Sequence, residues 1–260
     1  LQVLNILKIY SLIKMYNIAI LIPCTSNKRN YTSYCKTDLY DKFIKSFLST
    51  YEHKYNYKLF IGIDEDDKFY QDKGVQDNFN RFMSVMKNVD IQFYSFDTSF
   101  KGDVGKIWTN LYKYAIDENY DYFLQVGDDV VLLHQLWVTE CIEQLQKTFN
   151  IGVVGLTDYG RRRYNPNDTL ITQAFVSRSH YKIFGFLFPP ELKSWYIDNF
   201  IGDIYEIENL KSIVPQGIEN TGGEPRYIIP PDCKEMYNIA MYKYRNKIKD
   251  FFKIDVNNNE

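Results

Sequence analysis

Residues 120–133 read YDYFLQVGDDVVLL, an apolar run that delivers a glycine and two adjacent carboxylates, Asp128 and Asp129, before apolar residues resume. Charges flanked in this way are expensive to bury unless a cation or a donor network receives them. Two adjacent acids form a hard-oxygen site suited to Mg²⁺ or Mn²⁺. Gly-Asp is equally ordinary in a turn that ends a strand, so the pair alone leaves both readings open. Neighbours on an extended strand point to opposite faces, and both acids reach one cation only if a turn after Val126 breaks that alternation. Two other polar clusters follow apolar runs: PCTSN at 23–27 and DEDD at 64–67. Further along lie a basic run, RRR at 161–163, and an acid in an aromatic setting, Asp198 of WYIDNF.

The elements that must carry these residues follow from hydrophobic periodicity. YNIAILIPC (16–24), YKLFIGID (57–64), IQFYSFD (91–97), the run at 120–126 and IGVVGL (151–156) are short apolar stretches of the kind buried parallel strands show. Between them, apolar residues recur at helical spacing at 39, 43, 44, 47 and 48, within 75–89, at 107, 108, 111, 112 and 115, and at 138, 141, 142, 145 and 149. Alternating strands and helices predict an α/β domain built on an open, mostly parallel sheet covered by helices on both faces. Such sheets bind ligands beyond the carboxyl ends of their strands, where PCTSN, DEDD and GDD would meet. After 156 the rhythm changes: 157–168 reads as a polar loop, TLITQAFVS as a strand, the segment around PQGIENTGGEPRYIIPPDC as loop, and 234–252 as a closing helix.

Composition bounds the function classes. The 260 residues are 45% hydrophobic and carry 31 basic against 33 acidic side chains, enough for a sizeable core and no net field to recruit nucleic acid or an anionic membrane. Four cysteines lie far apart without a C-x-x-C, which argues against a zinc knuckle or a disulfide framework and for a reduced compartment. The N-terminal stretch is interrupted by Lys8 and Lys14 and is a poor signal peptide and too short a membrane span. The expectation is a cytoplasmic protein with no integral membrane segment: an upstream extension at 1–14, one domain over 15–252 divided near 156, and a flexible tail at 253–260.

In order and spacing these motifs resemble the nucleotide-sugar glycosyltransferases of the GT-A fold. The strand running into GDD looks like that family's D-x-D turn, with Gly127 in place of the first acid. GDVGKIWTNLYKYA (102–115) resembles the helix preceding the metal strand, and FGFLFPPELKSWYIDNFIGDIY the acceptor-side segment. The likeness covers residues 16–205. It implies a Rossmann-like nucleotide-binding half over 15–156 and an acceptor-side half over 157–252. Asp129 would be the metal ligand for Mn²⁺ or Mg²⁺, with Asp128 nearer the ribose or a metal-bound water. Pro23, Thr25, Ser26, Asp64, Gly105, Lys106 and Asn110 would contact the nucleotide sugar. Asp198 would be the catalytic base and Trp195 a stacking wall for the acceptor. The activity implied is that of a divalent-metal-dependent hexosyltransferase moving sugar from a UDP- or GDP-sugar to a glycan or other hydroxyl acceptor. No histidine follows His180, whereas some retaining relatives use a late one for metal, which inclines the reading to inversion. Two alternatives stay open: a nucleotidyltransferase acting on a sugar phosphate, although the loop after the first strand has Lys28 and Arg29 but no glycine, and a catalytically degraded carbohydrate-binding protein, for which Gly127 is the hint.

Overall fold

The inner strands of the N-terminal half, β1 foremost, are apolar on both faces because both faces are covered. In β1 (Asn17–Cys24), Ile18, Ile20 and Ile22 enter one core and Ala19 and Leu21 the other. A computed structural model describes residues 15–222 and 228–257, and in it eight strands form one sheet in the order β3-β2-β1-β4-β7-β6-β8-β5. The strands β2 (Asn56–Asp64), β3 (Val89–Phe96) and β4 (Tyr122–Gln125) join β1 in parallel. β7 (Ala174–Ser177) runs antiparallel to both β4 and β6 (Val153–Asp158), so β6 points the same way as β4. β8 (Lys211–Asn220) lies parallel to β6, and the three-residue β5 (Val130–Leu132) closes the edge antiparallel to β8. The expected α/β architecture, one curled and mostly parallel open sheet flanked by helices, is the one observed.

One face is covered by a π-helical turn (Leu39–Ile44) continuing into α1 (Lys45–Thr50), by α2 (Lys73–Met83) and by α4 (Trp137–Gln146). The other carries α3 (Val104–Asp117), α6 (Arg178–Phe184), α7 (Ile197–Glu206) and α8 (Cys233–Tyr244). A single turn, α5 (Tyr159–Arg162), follows β6, and α9 (Lys247–Asn257) follows α8. α3 buries Ile107, Trp108, Leu111, Tyr112 and Ala115 against the sheet, and the Trp108 indole N–H donates to the Leu21 carbonyl at 3.0 Å.

The C-terminal half departs from the sequence reading in three places. The stretch 169–177 is strand only from Ala174. The segment read as loop begins inside β8, whose Pro215 and Gln216 form a bulge between the pairs Leu156↔Val214 and Thr157↔Gly217; proline is tolerated in a sheet at such a bulge because no ladder donor is required there. The closing helix is two helices, the second running to Asn257, into the 253–260 stretch read as a tail. The extension at 1–14 lies outside the described residues. All four cysteines are free thiols, and among the described residues no helix is long and apolar enough to cross a membrane.

Candidate active site

Because β1, β2, β4 and β6 share one direction, their C-terminal residues emerge along one edge of the sheet. A cleft of about 780 Å³ opens there, bounded on its far side by the 185–196 connection and the start of α7. It is open to solvent rather than enclosed.

At one end, Pro23 and Cys24 finish β1 and Thr25 follows, its hydroxyl donating to Asp64 Oδ2 at 3.3 Å and accepting the Asn27 N–H at 3.1 Å. Thr25 and Asp64 are both buried yet line the cleft. Ser26 was expected beside them, but its N–H and hydroxyl both bind the Asp67 carboxylate, at 2.6 and 2.8 Å, and it does not line the cleft. It tethers two loops instead.

The GDD turn answers the question posed by its adjacent acids. Gly127 N–H donates to Gln173 Oε1 at 3.2 Å, and the Asp129 carbonyl accepts both the N–H and the hydroxyl of Thr221, at 3.2 and 2.7 Å, so the corner is fixed from two sides. Asp129 lines the cleft, its carboxylate packed under Gly222. Asp128, 2% exposed, does not line it; its charge acts on the Tyr31 and Tyr70 phenols, which burial already pushes well above their usual range. Residues 128 and 129 lie in the turn between β4 and β5, which brings Asp129 to the cleft and leaves Asp128 buried away from its lining.

Three residues of α3 lie outside the cleft lining. Gly105 is needed for a close approach, but to protein: a Cβ there would sit 2.5 Å from the Leu192 carbonyl oxygen, and its N–H donates to Lys193 O at 2.8 Å. Lys106 is exposed, its Nζ 3.9 Å from the centre of the Phe100 ring, and the Asn110 amide returns to Lys106 O at 2.8 Å. The helix reaches the cleft through Val104, Ile107 and Trp108. Its larger service is to hold the 185–196 connection, through Gly105 and through Thr109, whose hydroxyl exchanges hydrogen bonds with Phe188 O and N at 3.1 and 3.0 Å.

That connection presents Trp195, half exposed, and ends at Tyr196 in the left-handed region (φ 67°), from which α7 starts. Asp198, in the first turn of α7, lines the cleft. The protein packed around it raises its pKa from 3.8 to about 7; Arg161 pulls downward and Asp158 upward. Asp158 and Arg161 were not expected as site residues. Asp158 ends β6 much as Asp64 ends β2, and Arg161 belongs to a basic run that reads as solvated loop, yet Arg161 and Arg163 both line the cleft. Arg29 does so as well, held by Asp38 at 3.1 Å. Among the described lining residues five are acidic, Asp64, Asp129, Asp158, Asp198 and Glu219, against those three arginines, so the wall carries an excess of carboxylate. Among the described residues no group of three or more His, Cys, Asp or Glu side chains is arranged to hold a metal ion.

This single α/β domain, with its mostly parallel open sheet flanked by helices, is consistent with a GT-A-like fold. Among solved structures the chain is similar to Staphylococcus aureus TarS 1–349, with a TM-score of 0.52 and 13% identity over 80% of this chain and 60% of that one. The complex of that protein with UDP matches at 0.55 and 12% identity over 85% of this chain and 63% of the other. Its complex with UDP-GlcNAc matches at 0.56 and 15% over 85% and 64%. The chain thus spans less than two thirds of the length of those chains, and at these identities the likeness is one of fold. No family model and no curated protein matches the chain.

Proposed function

We propose that the protein is a nucleotide-sugar glycosyltransferase of the hexosyltransferase type, inverting at the transferred carbon, with a divalent cation as cofactor. The observation that carries this reading is the order of groups along one cleft: the Thr25–Asp64 pair at one end, Asp129 at the corner, and Asp198, with a pKa near neutrality, at the wall beside Trp195. The similarity in fold to a protein solved with UDP and with UDP-GlcNAc makes a UDP-sugar the first donor to test, with GDP-sugars next.

Pro23, Thr25 and Asp64 bind the nucleoside end, where the buried carboxylate accepts from the base or ribose. The excess of acid on the wall leaves a donor diphosphate without sufficient protein cations, which is the physical reason for a metal. Asp129 is the residue that would hold Mn²⁺ or Mg²⁺, with donor phosphates and water completing the shell, an arrangement that needs one protein carboxylate only. Bound there, the cation would stabilise the leaving diphosphate. Asp198 takes the proton from the acceptor hydroxyl as the acceptor oxygen bonds to the anomeric carbon and the bond from that carbon to the phosphate oxygen breaks. A carboxylate near pKa 7 is matched to that task at neutral pH. Trp195 offers a flat apolar face to an acceptor sugar.

The test is a panel of nucleotide sugars with Mn²⁺ or Mg²⁺, read as released nucleoside diphosphate, alongside calorimetry of UDP and GDP. Asp129→Asn is expected to weaken metal-dependent nucleotide binding by at least tenfold. A variant that binds as tightly, with the same metal dependence, would remove Asp129 from the site. Release of pyrophosphate from a nucleoside triphosphate would instead assign a nucleotidyltransferase.

A further inference from the structure

Two glutamines that the proposed chemistry does not use, Gln125 and Gln173, line the cleft although they are only 2% and 4% exposed. Gln125 is the last residue of β4, and Gln173 immediately precedes β7. The antiparallel ladder between those strands stops at Leu124↔Phe175, so the backbone donors beyond it need other partners. The side chains supply them. Gln125 Oε1 accepts the Ala174 N–H at 3.0 Å, and Gln173 Oε1 accepts the Gly127 N–H at 3.2 Å. Each glutamine thus reaches across the end of the ladder to the other's segment.

A carboxamide has an accepting end and a donating end. A backbone N–H on the oxygen fixes which is which, because turning the amide over would set donor against donor. Both oxygens are therefore committed to the backbone. Among the described residues nothing accepts from either NH₂ group, and neither nitrogen is sealed away from solvent. Two oriented donors consequently open on the cleft from side chains that are otherwise buried. Their footing is fixed on both sides: Thr172 donates its hydroxyl to Asp158 at 3.1 Å, and Thr221 clasps the corner that Gln173 also binds.

We propose that Gln125 and Gln173 are specificity-determining residues that read the transferred sugar, donating through Nε2 to oxygen atoms on its ring. The proposal rests on the nucleotide-sugar reading of the cleft and deepens it. Gln173 is bonded to Gly127, two residues before the Asp129 assigned to the cation on the donor diphosphate, and the group joined to that diphosphate is the sugar. The pair also selects a class of sugar. Its donors are uncharged and stand in a wall with an excess of carboxylate, so they suit the hydroxyl or acyl carbonyl oxygens of a neutral sugar. A buried donor left without its acceptor is costly, which is how such a site rejects a sugar lacking the matching oxygen.

The experiment follows the side-chain NH₂ signals of protein labelled with ¹⁵N at its glutamine amides. Gln125→Glu and Gln173→Glu identify the two pairs of lines, since glutamate keeps an oxygen for the backbone N–H and has no amino group. Where a variant does not fold, nuclear Overhauser contacts to the Ala174 and Gly127 amide protons identify them instead. The probes are UDP, GDP, UDP-GlcNAc, UDP-glucose and GDP-mannose with Mg²⁺, and the same three sugars as methyl glycosides without nucleotide. At least one nucleotide sugar is expected to move the Gln125 and Gln173 signals while its nucleoside diphosphate leaves them in place. The glutamate variants should bind that donor about tenfold more weakly and the nucleoside diphosphate as the parent does, the scale of one lost hydrogen bond. A donor that binds or is turned over with both signals unmoved would overturn the assignment and leave the transferase reading standing. Movement with a methyl glycoside, in a protein that binds no nucleotide, would sustain the pair and remove the transferase reading. Signals that no probe moves would overturn the proposal.

Discussion

Replacing Asp198 by Asn should make the protein more stable, and only in one pH range. Burial raises the carboxyl pKa from 3.8 to about 7, a shift of about 3 units. At about 1.4 kcal/mol per unit that is a ceiling of about 4 kcal/mol, and because the side chain opens partly to the cleft, about 2 kcal/mol is the better figure. The sign follows from the raised pKa of an acid. Above pH 7 the group is charged in both folded and unfolded chains and the fold bears the penalty; as pH falls from 7 towards 4 the folded carboxyl takes up its proton and the penalty disappears. With an unfolding entropy of about 2.1 cal/mol/K per residue, 260 residues give about 0.55 kcal/mol/K, so about 2 kcal/mol corresponds to about 4 °C in Tm. Thermal melts of parent and Asp198→Asn should differ by about that much at pH 8 and converge near pH 4, while sugar transfer by the variant falls by at least about a hundredfold, as expected for loss of a general base. A variant less stable than the parent at pH 8, or a gain of equal size at both pH values, would refute the electrostatic account. The trade is a familiar one: a site prepared for chemistry holds a group the fold would otherwise exclude.

Gly105→Ala should destabilise by about 2–3 kcal/mol in urea melts, since the new Cβ meets the Leu192 carbonyl and forces the 185–196 connection away from α3; transfer activity should fall with it, because that connection carries Trp195 and leads into the first turn of α7, which carries Asp198. His180 is fully buried, with its ring nitrogens on the Tyr205 hydroxyl and the Leu187 carbonyl, and burial lowers its pKa from 6.5 to about 4. The unfolded chain therefore takes up a proton that the fold refuses, so stability should decline as pH falls from 6.5 towards 4, and His180→Gln should show a shallower decline in Tm over that interval.

Sequence and structure agree where local chemistry decides. Strands β1, β2 and β4 are legible because parallel strands covered on both faces become unbroken apolar runs, and Pro23, Thr25, Asp64 and Asp129 line the cleft because such runs end at the carboxyl edge of the sheet. The segment around Trp195 and Asp198 was found by resemblance rather than by pattern. Asp158 carried the same signal as Asp64, an acid closing an apolar strand, but the strand was read as ending at Leu156 and its last two residues passed into the loop. The sequence does not disclose which face of α3 meets what: Gly105, Lys106 and Asn110 suit a phosphate by type, and only the tertiary path of 185–196 shows that Gly105 accommodates a carbonyl of the same chain. β8 was hidden by its own composition, since Pro215 and Gly217 are strand breakers everywhere except at a bulge. The antiparallel entry of β7 between β4 and β6 is long-range pairing that no local pattern encodes.

The bulge in β8 also constrains how the chain can change in length. It inserts two residues, so Gly217 and Ile218 resume pairing with Thr157 and Asp158 on the faces they would occupy in an uninterrupted strand; the strand ends at Asn220, and Thr221 just after it clasps the Asp129 carbonyl. Side-chain direction alternates with every residue. Loss of Pro215 and Gln216 together therefore preserves which face each downstream residue presents, whereas loss of either one turns Ile218 and Asn220 over and brings the wrong residue to the acidic corner. In homologous chains, length differences at this point should come in even numbers, a parity rule imposed by the backbone corner at Asp129 that the end of the strand secures.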